Sequence, residues 1–307
     1  MFKYRAISFP ILLALLGYMV WFPEQGGKYV YAVCAVLMVG LAVYELGAMT
    51  KKIGFKNFPV VAGILGAVPL AFVVCVKFNL EISPFLLFGG CLLLFLVGWF
   101  GLLVMNNRNN KVIDADKGLV EYSPEKTDYF LAIPGTVGLA VILGVPLTFT
   151  GMVYYGGAFL FLFLVLVTKA MDTGGYIFGK HSAVIFGGKH KICPTLSPKK
   201  SWEGTIGGLI FSVGAALLFW KYSPVEVRPF WRYSPVVVAS VWDYVVYGIV
   251  LGLGSFAGDL TESVVKRICG VKDSNHIIPG MGGAFDVLDS FIYNGIIFFL
   301  LQIIERI

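Results

Sequence analysis

Charge is what this chain has least of. Asp, Glu, Lys and Arg make up 14% of its 307 residues against a hydrophobic share of 58%, and with a mean hydropathy of +0.82 this excludes an ordinary water-soluble domain. Cysteine is scarce and badly spaced for chemistry. Cys34, Cys75 and Cys91 fall in apolar runs and Cys193 and Cys269 in polar ones, with no metal-type spacing and nothing like a disulfide framework. No Walker loop or dinucleotide fingerprint is present: Asp172-Thr173-Gly174-Gly175-Tyr176 has neither spacing and follows no strand. The lack of an internal repeat argues against an inverted-repeat transporter. The basic loops lack interleaved aromatics, which argues against a nucleic-acid partner.

What is abundant is apolar run length. Segments long enough to cross a hydrocarbon core of about 30 Å recur along the chain, near Ala6–Phe22, Tyr29–Met49, Phe58–Val76, Ser83–Met105, Tyr129–Phe149, Met152–Ala170, Gly204–Lys221, Val236–Ala257 and Ala284–Ile304. They are continuously apolar rather than alternating, so the expectation is an all-α, polytopic membrane protein with about nine spans and no β-barrel. Lys3 and Arg5 before the first run imitate a signal peptide. No small-x-small cleavage site follows, so the run is expected to stay as the first span. With the N-terminus in the cytoplasm, 18 basic residues lie on that side and 6 on the other, which predicts an N-in, C-out topology in the cell (inner) membrane. Cys193 and Cys269 would then face the cytosol.

The chain is expected to be a single membrane domain in which residues 1–110 are a helical scaffold and 111–307 carry the chemistry. Two polar segments stand out. In the first, Met171–Gly208, Ser197 can cap a helix and Pro198 suits its first position, leaving Lys199 and Lys200 in the first turn. Lysines there oppose the helix dipole at about 0.3–1 kcal/mol each unless an anion such as phosphate sits at the helix start. Positive-inside anchoring explains them equally well. Lys189, His190 and Lys191 extend the patch. The glycines after Asp172 suit close approach to a ligand, a tight turn or helix packing.

The second segment, Gly258–Ser290, gathers Asp259, Glu262, Asp273, Asp286 and Asp289 with Lys266, Arg267 and Lys272. Asp259, Glu262 and Lys266 share one helix face, and Asp286 and Asp289 sit one turn apart with Ser290, Tyr293 and Asn294. A solvated face or a dipole-favoured helix start accounts for each alone. A carboxylate at mid-bilayer costs about 2.5–3.5 kcal/mol, however, so the stripe should face the protein interior or a watery cavity. Acids, lysines and a Gly-Gly turn together suit a divalent cation and a polyphosphate.

The run Gly258-Asp259-Leu260, Glu262-Ser263, Lys266-Arg267, Gly270-Val271-Lys272-Asp273-Ser274, Pro279-Gly280, Gly282-Gly283 and Asp286-x-x-Asp289-Ser290 resembles the phosphatidate cytidylyltransferases, also called CDP-diacylglycerol synthases. Ser197-Pro198-Lys199-Lys200-Ser201-Trp202-Glu203-Gly204 and Gly207-Gly208 resemble that family's other block. The match covers about Asp172 to Ser290. It departs where the family usually shows His-Gly-Gly and Asp-Arg-x-Asp, at Met281 and Val287. The resemblance implies transfer of CMP from CTP to phosphatidate, giving CDP-diacylglycerol and pyrophosphate, with Mg2+ and, as a second cation, K+. It assigns Asp259, Asp286 and Asp289 to the metal and to catalysis together with Lys266. It gives phosphates to Lys199, Lys200 and Lys272, close backbone approach to Gly282 and Gly283, and supporting positions to Asp172, Glu203 and Ser263. The expected partners are CTP, phosphatidate and membrane lipids, with a homodimer as the assembly the family suggests. The alternatives are a transporter, a non-catalytic homologue, or a synthase acting on another lipid phosphate.

Overall fold

The computed structural model describes residues 2–78, 126–185, 190–193, 197–222, 240–280 and 282–304. Among these the regular elements are helices apart from one short hairpin. Helix α1 (Phe2–Trp21) passes through a π-helical turn, Pro23–Gly27, into α2 (Lys28–Lys52), and α3 (Pro59–Lys77) follows. The expected span Ser83–Met105 and the connector after it lie outside the described residues. Helix α4 (Lys126–Leu139), a second π-helical turn (Ala140–Gly144) and α5 (Val145–Gly156) come next. Helix α6 (Ala158–Ile185) leads to strands β1 (Lys191–Cys193) and β2 (Ser197–Ser201) and then to α7 (Trp202–Tyr222). Helices α8 (Val241–Ile268), α9 (Ala284–Leu288) and α10 (Phe291–Ile304) complete the order.

Seven helical segments among the described residues are long and apolar enough to cross a membrane: Pro23–Lys52, Pro59–Lys77, Ala132–Gly156, Ala158–His181, Trp202–Tyr222, Val241–Ile268 and Ala284–Gln302. Pro10–Trp21 is a shorter apolar helix. The protein is thus an all-α polytopic membrane protein. Several span ends differ from those expected. The break between the fifth and sixth spans falls at Gly157 rather than Gly151, because Gly151 is needed where α5 packs on Leu70 of α3. The sixth span runs on through Asp172 to Ile185, and the eighth through Asp259, Glu262 and Lys266 to Ile268, so these polar residues are helical. Asp243 belongs to the start of α8, where its carboxylate accepts from the Ser240 amide at 2.6 Å and closes a capping box.

Close helix crossings are built on small residues, as expected where lipid gives helices no hydrophobic reason to associate. Gly40 and Gly63 bring α2 against α3, and Gly174, Gly207 and Gly208 bring α6 against α7. Of the three readings of the glycines after Asp172, the structure selects helix packing, since Gly174 faces the Gly207 carbonyl and Phe211. On α8, Gly254 faces Asn294, and Gly258 lies against the Asp289 carbonyl and the Ser290 Cα. Asn294 is fully buried and donates to Thr168 Oγ1 at 2.8 Å and the Leu251 carbonyl at 2.9 Å, tying α10 to α6 and α8.

An aromatic core centres on Phe163 of α6, which packs edge-on to Phe219 of α7 and Tyr244 of α8 with centroids 5.1 and 5.8 Å away, and against Phe298 of α10 at 5.5 Å. Phe163 precedes Asp172 by about 14 Å along α6. The C-terminal ends of α2, α6 and α8 and the starts of α7 and α9 meet at one end of the bundle, where Glu45 reaches Ala284 and Phe285, Asp172 reaches Ser255, and Lys200, just before α7, reaches Asp259.

Candidate active site

The hairpin sets the first side of this end. Ser197 does not begin a helix: residues Ser197–Ser201 pair antiparallel with Lys191–Cys193, Lys191 opposite Ser201 and Cys193 opposite Ser197. Trp202 N donates to the His190 carbonyl at 2.9 Å, and α7 starts one residue after Ser201, whose Oγ accepts from the Gly204 amide at 3.2 Å. Ser201 is therefore the cap, Glu203 rather than a lysine occupies the first turn, and Lys199 and Lys200 are strand residues. The side chain of Lys199, like Lys189 and the side chain of Cys193, lies outside what is described. Lys200 reaches Asp259 Oδ2 at 2.8 Å, donates to the Phe256 carbonyl at 3.2 Å and lies 4.5 Å from the Phe256 ring centroid. Glu203 holds the other end of the hairpin, its Oε1 accepting from the His190 amide at 3.1 Å and meeting His190 Nδ1 at 2.6 Å.

The crossing at Gly258 brings the acids of α8 against Asp289, the residue after α9. A side chain at residue 258 would strike the backbone of Asp289 and Ser290, so the helices close until Asp259, Glu262 and Asp289 each place a carboxylate oxygen within 4.8 Å of the others. Glu262 and Asp289 are buried and Asp259 is half-exposed, its side chain 42% accessible. Three carboxylates so close repel each other unless countercharge intervenes. Oxygen-only ligands at such spacing suit a hard divalent cation.

Lys266 lies 2.7 Å from Glu262 Oε1 and 3.0 Å from Asp286 Oδ1, joining the two helices. Asp286 also accepts at Oδ2 from the Gly283 amide at 2.7 Å and the Ser274 amide at 3.3 Å. Its oxygens are thus taken up by the chain's own donors, and the convergent trio is completed by Glu262. Gly282 adopts φ +104°, a conformation that disfavours any other residue, and the Asp286 carboxylate fills the place of its missing side chain. At Gly283 that place is taken by Ser274 Oγ and the Glu45 carboxylate. Val287 is half-buried in α9, and Met281 lies outside the described residues.

The remaining expected residues are dispersed. Asp172 pairs with Lys169 at 3.0 Å and accepts from Ser255 Oγ at 3.0 Å. The field of Lys169 extends to Asp289 and Asp259 as well. Ser263 is half-buried on α8, and Lys272 is exposed on the 269–283 segment with no ion-pair partner among the described residues. Sequence reasoning left out Lys169, Ser274, the cluster role of Glu262 and, above all, Glu45. Lys169 could have been found by its i, i+3 spacing to Asp172.

The chain matches a family model described as "Cytidylyltransferase family" over residues 3–304. It is 38% identical over 136 residues to the phosphatidate cytidylyltransferase of Haemophilus influenzae, a stretch covering 44% of this chain and 43% of that protein. To the phosphatidate cytidylyltransferase of Mycobacterium tuberculosis H37Rv it is 35% identical over 170 residues, 54% of this chain and 46% of the other. A protein of Escherichia coli known as uncharacterized protein YnbB is 34% identical over 145 residues, covering 47% and 42%. The chain thus spans less than half the length of these curated relatives. With the family match running across nearly the whole chain and including the acidic trio and its lysines, this protein belongs to the cytidylyltransferase family.

Proposed function

We propose that this protein transfers CMP from CTP to phosphatidate, forming CDP-diacylglycerol and pyrophosphate. The observation that carries the reading is the convergence of Asp259, Glu262 and Asp289 beside Lys200 and Lys266 at one end of an apolar bundle. In the reaction a phosphate oxygen of the lipid bonds to the α-phosphorus of CTP while the bond to the β-phosphate oxygen breaks, and pyrophosphate leaves. The nucleophile is already anionic near neutral pH, so no strong base is needed, and the work is alignment and charge neutralisation. That is what lysines and acids without a Ser-His-Asp set can supply.

The donor set of the trio fits Mg2+, which when bound supplies charge neutralisation to the triphosphate. K+ is a candidate second cation. Lys200 and Lys266 bind phosphate oxygens by exchanging part of their carboxylate pairing for them. Release of Lys266 from Asp286 would leave one Asp286 oxygen free to join the acidic cluster, which keeps Asp286 within the proposed site. The excess of basic residues on the N-terminal side argues that this end faces the cytoplasm, where a soluble nucleotide has access.

Purified protein in detergent micelles is expected to release pyrophosphate only when CTP, phosphatidate and Mg2+ are all present, with CDP-diacylglycerol seen by mass spectrometry. Asp289→Asn is expected to abolish release while the protein stays folded. Release without phosphatidate, or none from wild type, would overturn the assignment.

A further inference from the structure

Glu45 lies in the middle of an apolar run on α2, far from the polar segments in sequence, and is completely buried. Among the described residues no lysine or arginine pairs with it. Isolated burial of a carboxylate costs several kcal/mol, so its charge must be met by other donors. They come from the other end of the chain. Oε1 accepts from the Ala284 amide at 3.1 Å, and Oε2 from the Phe285 amide and from Ser274 Oγ, both at 2.9 Å. These amides open the short helix α9, where they have no partner within the helix itself.

The contacts close into a ring. Ser274 gives its hydroxyl to Glu45 and its amide to Asp286, Asp286 takes the Gly283 amide, and the next two amides return to Glu45. Gly283 has no side chain because Glu45 and Ser274 fill that space. Both acids of the α9 region, Asp286 inside the ring and Asp289 one turn beyond, take their position from this segment.

We infer that Glu45 is a positioning residue: it holds the start of α9 so that Asp286 meets Lys266 and Asp289 meets Asp259 and Glu262. This rests on the proposed reading of the acidic site, but Glu45 does not touch the reacting atoms. Glu45→Gln keeps the size and one acceptor while turning the other donor-facing atom into a donor. Glu45→Ala removes both acceptors. Loss of an orienting partner behind a metal site typically costs about 10–100-fold in activity or metal affinity.

The test measures kcat, CTP KM and the Mg2+ concentration for half-activation in both Glu45 variants and in Leu46→Ala, a buried neighbour outside the ring that reports general loss of packing. Amide exchange at Ala284 and Phe285 is followed alongside. In the Glu45 variants kcat should fall by about 10–100-fold, with CTP KM unchanged, half-activation moved to higher Mg2+ and faster exchange at 284 and 285. Leu46→Ala should lose thermal stability and keep kcat per folded molecule. Wild-type kcat in both Glu45 variants, unchanged exchange, or the same kinetic loss in Leu46→Ala would overturn the inference. If wild type itself proves inactive with CTP, the proposed activity fails, while the exchange data still decide whether Glu45 holds the helix start.

Discussion

Lys200 and Lys266 have the same kind of partner in different surroundings, and that difference separates their roles. Asp259, the partner of Lys200, is 42% accessible, whereas Lys266 serves Glu262 at 3% and Asp286 at 11%. Removing one member of a buried pair costs about 3–5 kcal/mol, since the charge left behind has no water. Lys200 is itself only 13% accessible, but the carboxylate it would leave behind keeps its water, which brings the cost toward the about 0–1 kcal/mol of an exposed pair. We predict that Lys266→Met lowers the thermal unfolding temperature in micelles sharply, while Lys200→Met leaves it near wild type but raises the CTP KM. Equal unfolding shifts in the two variants would refute this division. At this scale the acids and lysines of Gly258–Ser290 were readable because charge is conspicuous in an apolar chain. Glu45 was not: it is a lone acid between Tyr44 and Leu46, and its partners are backbone amides, which leave no mark in a sequence.

Between elements, the crossing of α8 over the segment joining α9 to α10 determines whether the trio converges. Gly258→Ala puts a methyl group against the Asp289 backbone, where helices must part at a cost of about 1–3 kcal/mol. The expected result is lower thermal stability together with loss of pyrophosphate release, because parting separates Asp259 from Asp289. Full activity at reduced stability would mean that the trio tolerates the shift. Elements were legible where a continuous apolar run decided them, as in α2, α3 and α7. The hairpin was not legible from Ser197-Pro198. Ser197 and Ser201 are equally able to cap a helix, and the choice of Ser201 follows from pairing with Lys191–Cys193, a tertiary fact. The ends of α6 and α8 were missed for a related reason. After Ala170 the polar residues suggested a loop, whereas on α8 the shared helix face of Asp259, Glu262 and Lys266 was legible and only the end of the apolar span was set too early; in both, one helix face carries the polar residues while the backbone stays helical.

On the scale of the whole molecule, the alternation of spans was legible from hydropathy, and the side of the membrane rests on charge counting. Cys269 is a poor reporter for that question. It is buried, and burial pushes its thiol up from the ordinary value, so less reactive thiolate exists at neutral pH. Exposed positions serve better. In a cysteine-free background, an impermeant thiol reagent on intact cells should label Tyr222→Cys and spare Asp273→Cys until the membrane is opened, and the reverse pattern would invert the proposed topology. The reach of Glu45 to Ala284 and Phe285, across 239 and 240 residues, also bears on how the protein is made. Contacts so distant in sequence are among the slowest to form, and during synthesis α2 enters the membrane long before its partners exist. The bundle can therefore be largely assembled while its charged end is still open, and competence arrives only when the start of α9 docks beside α2, inserted long before it.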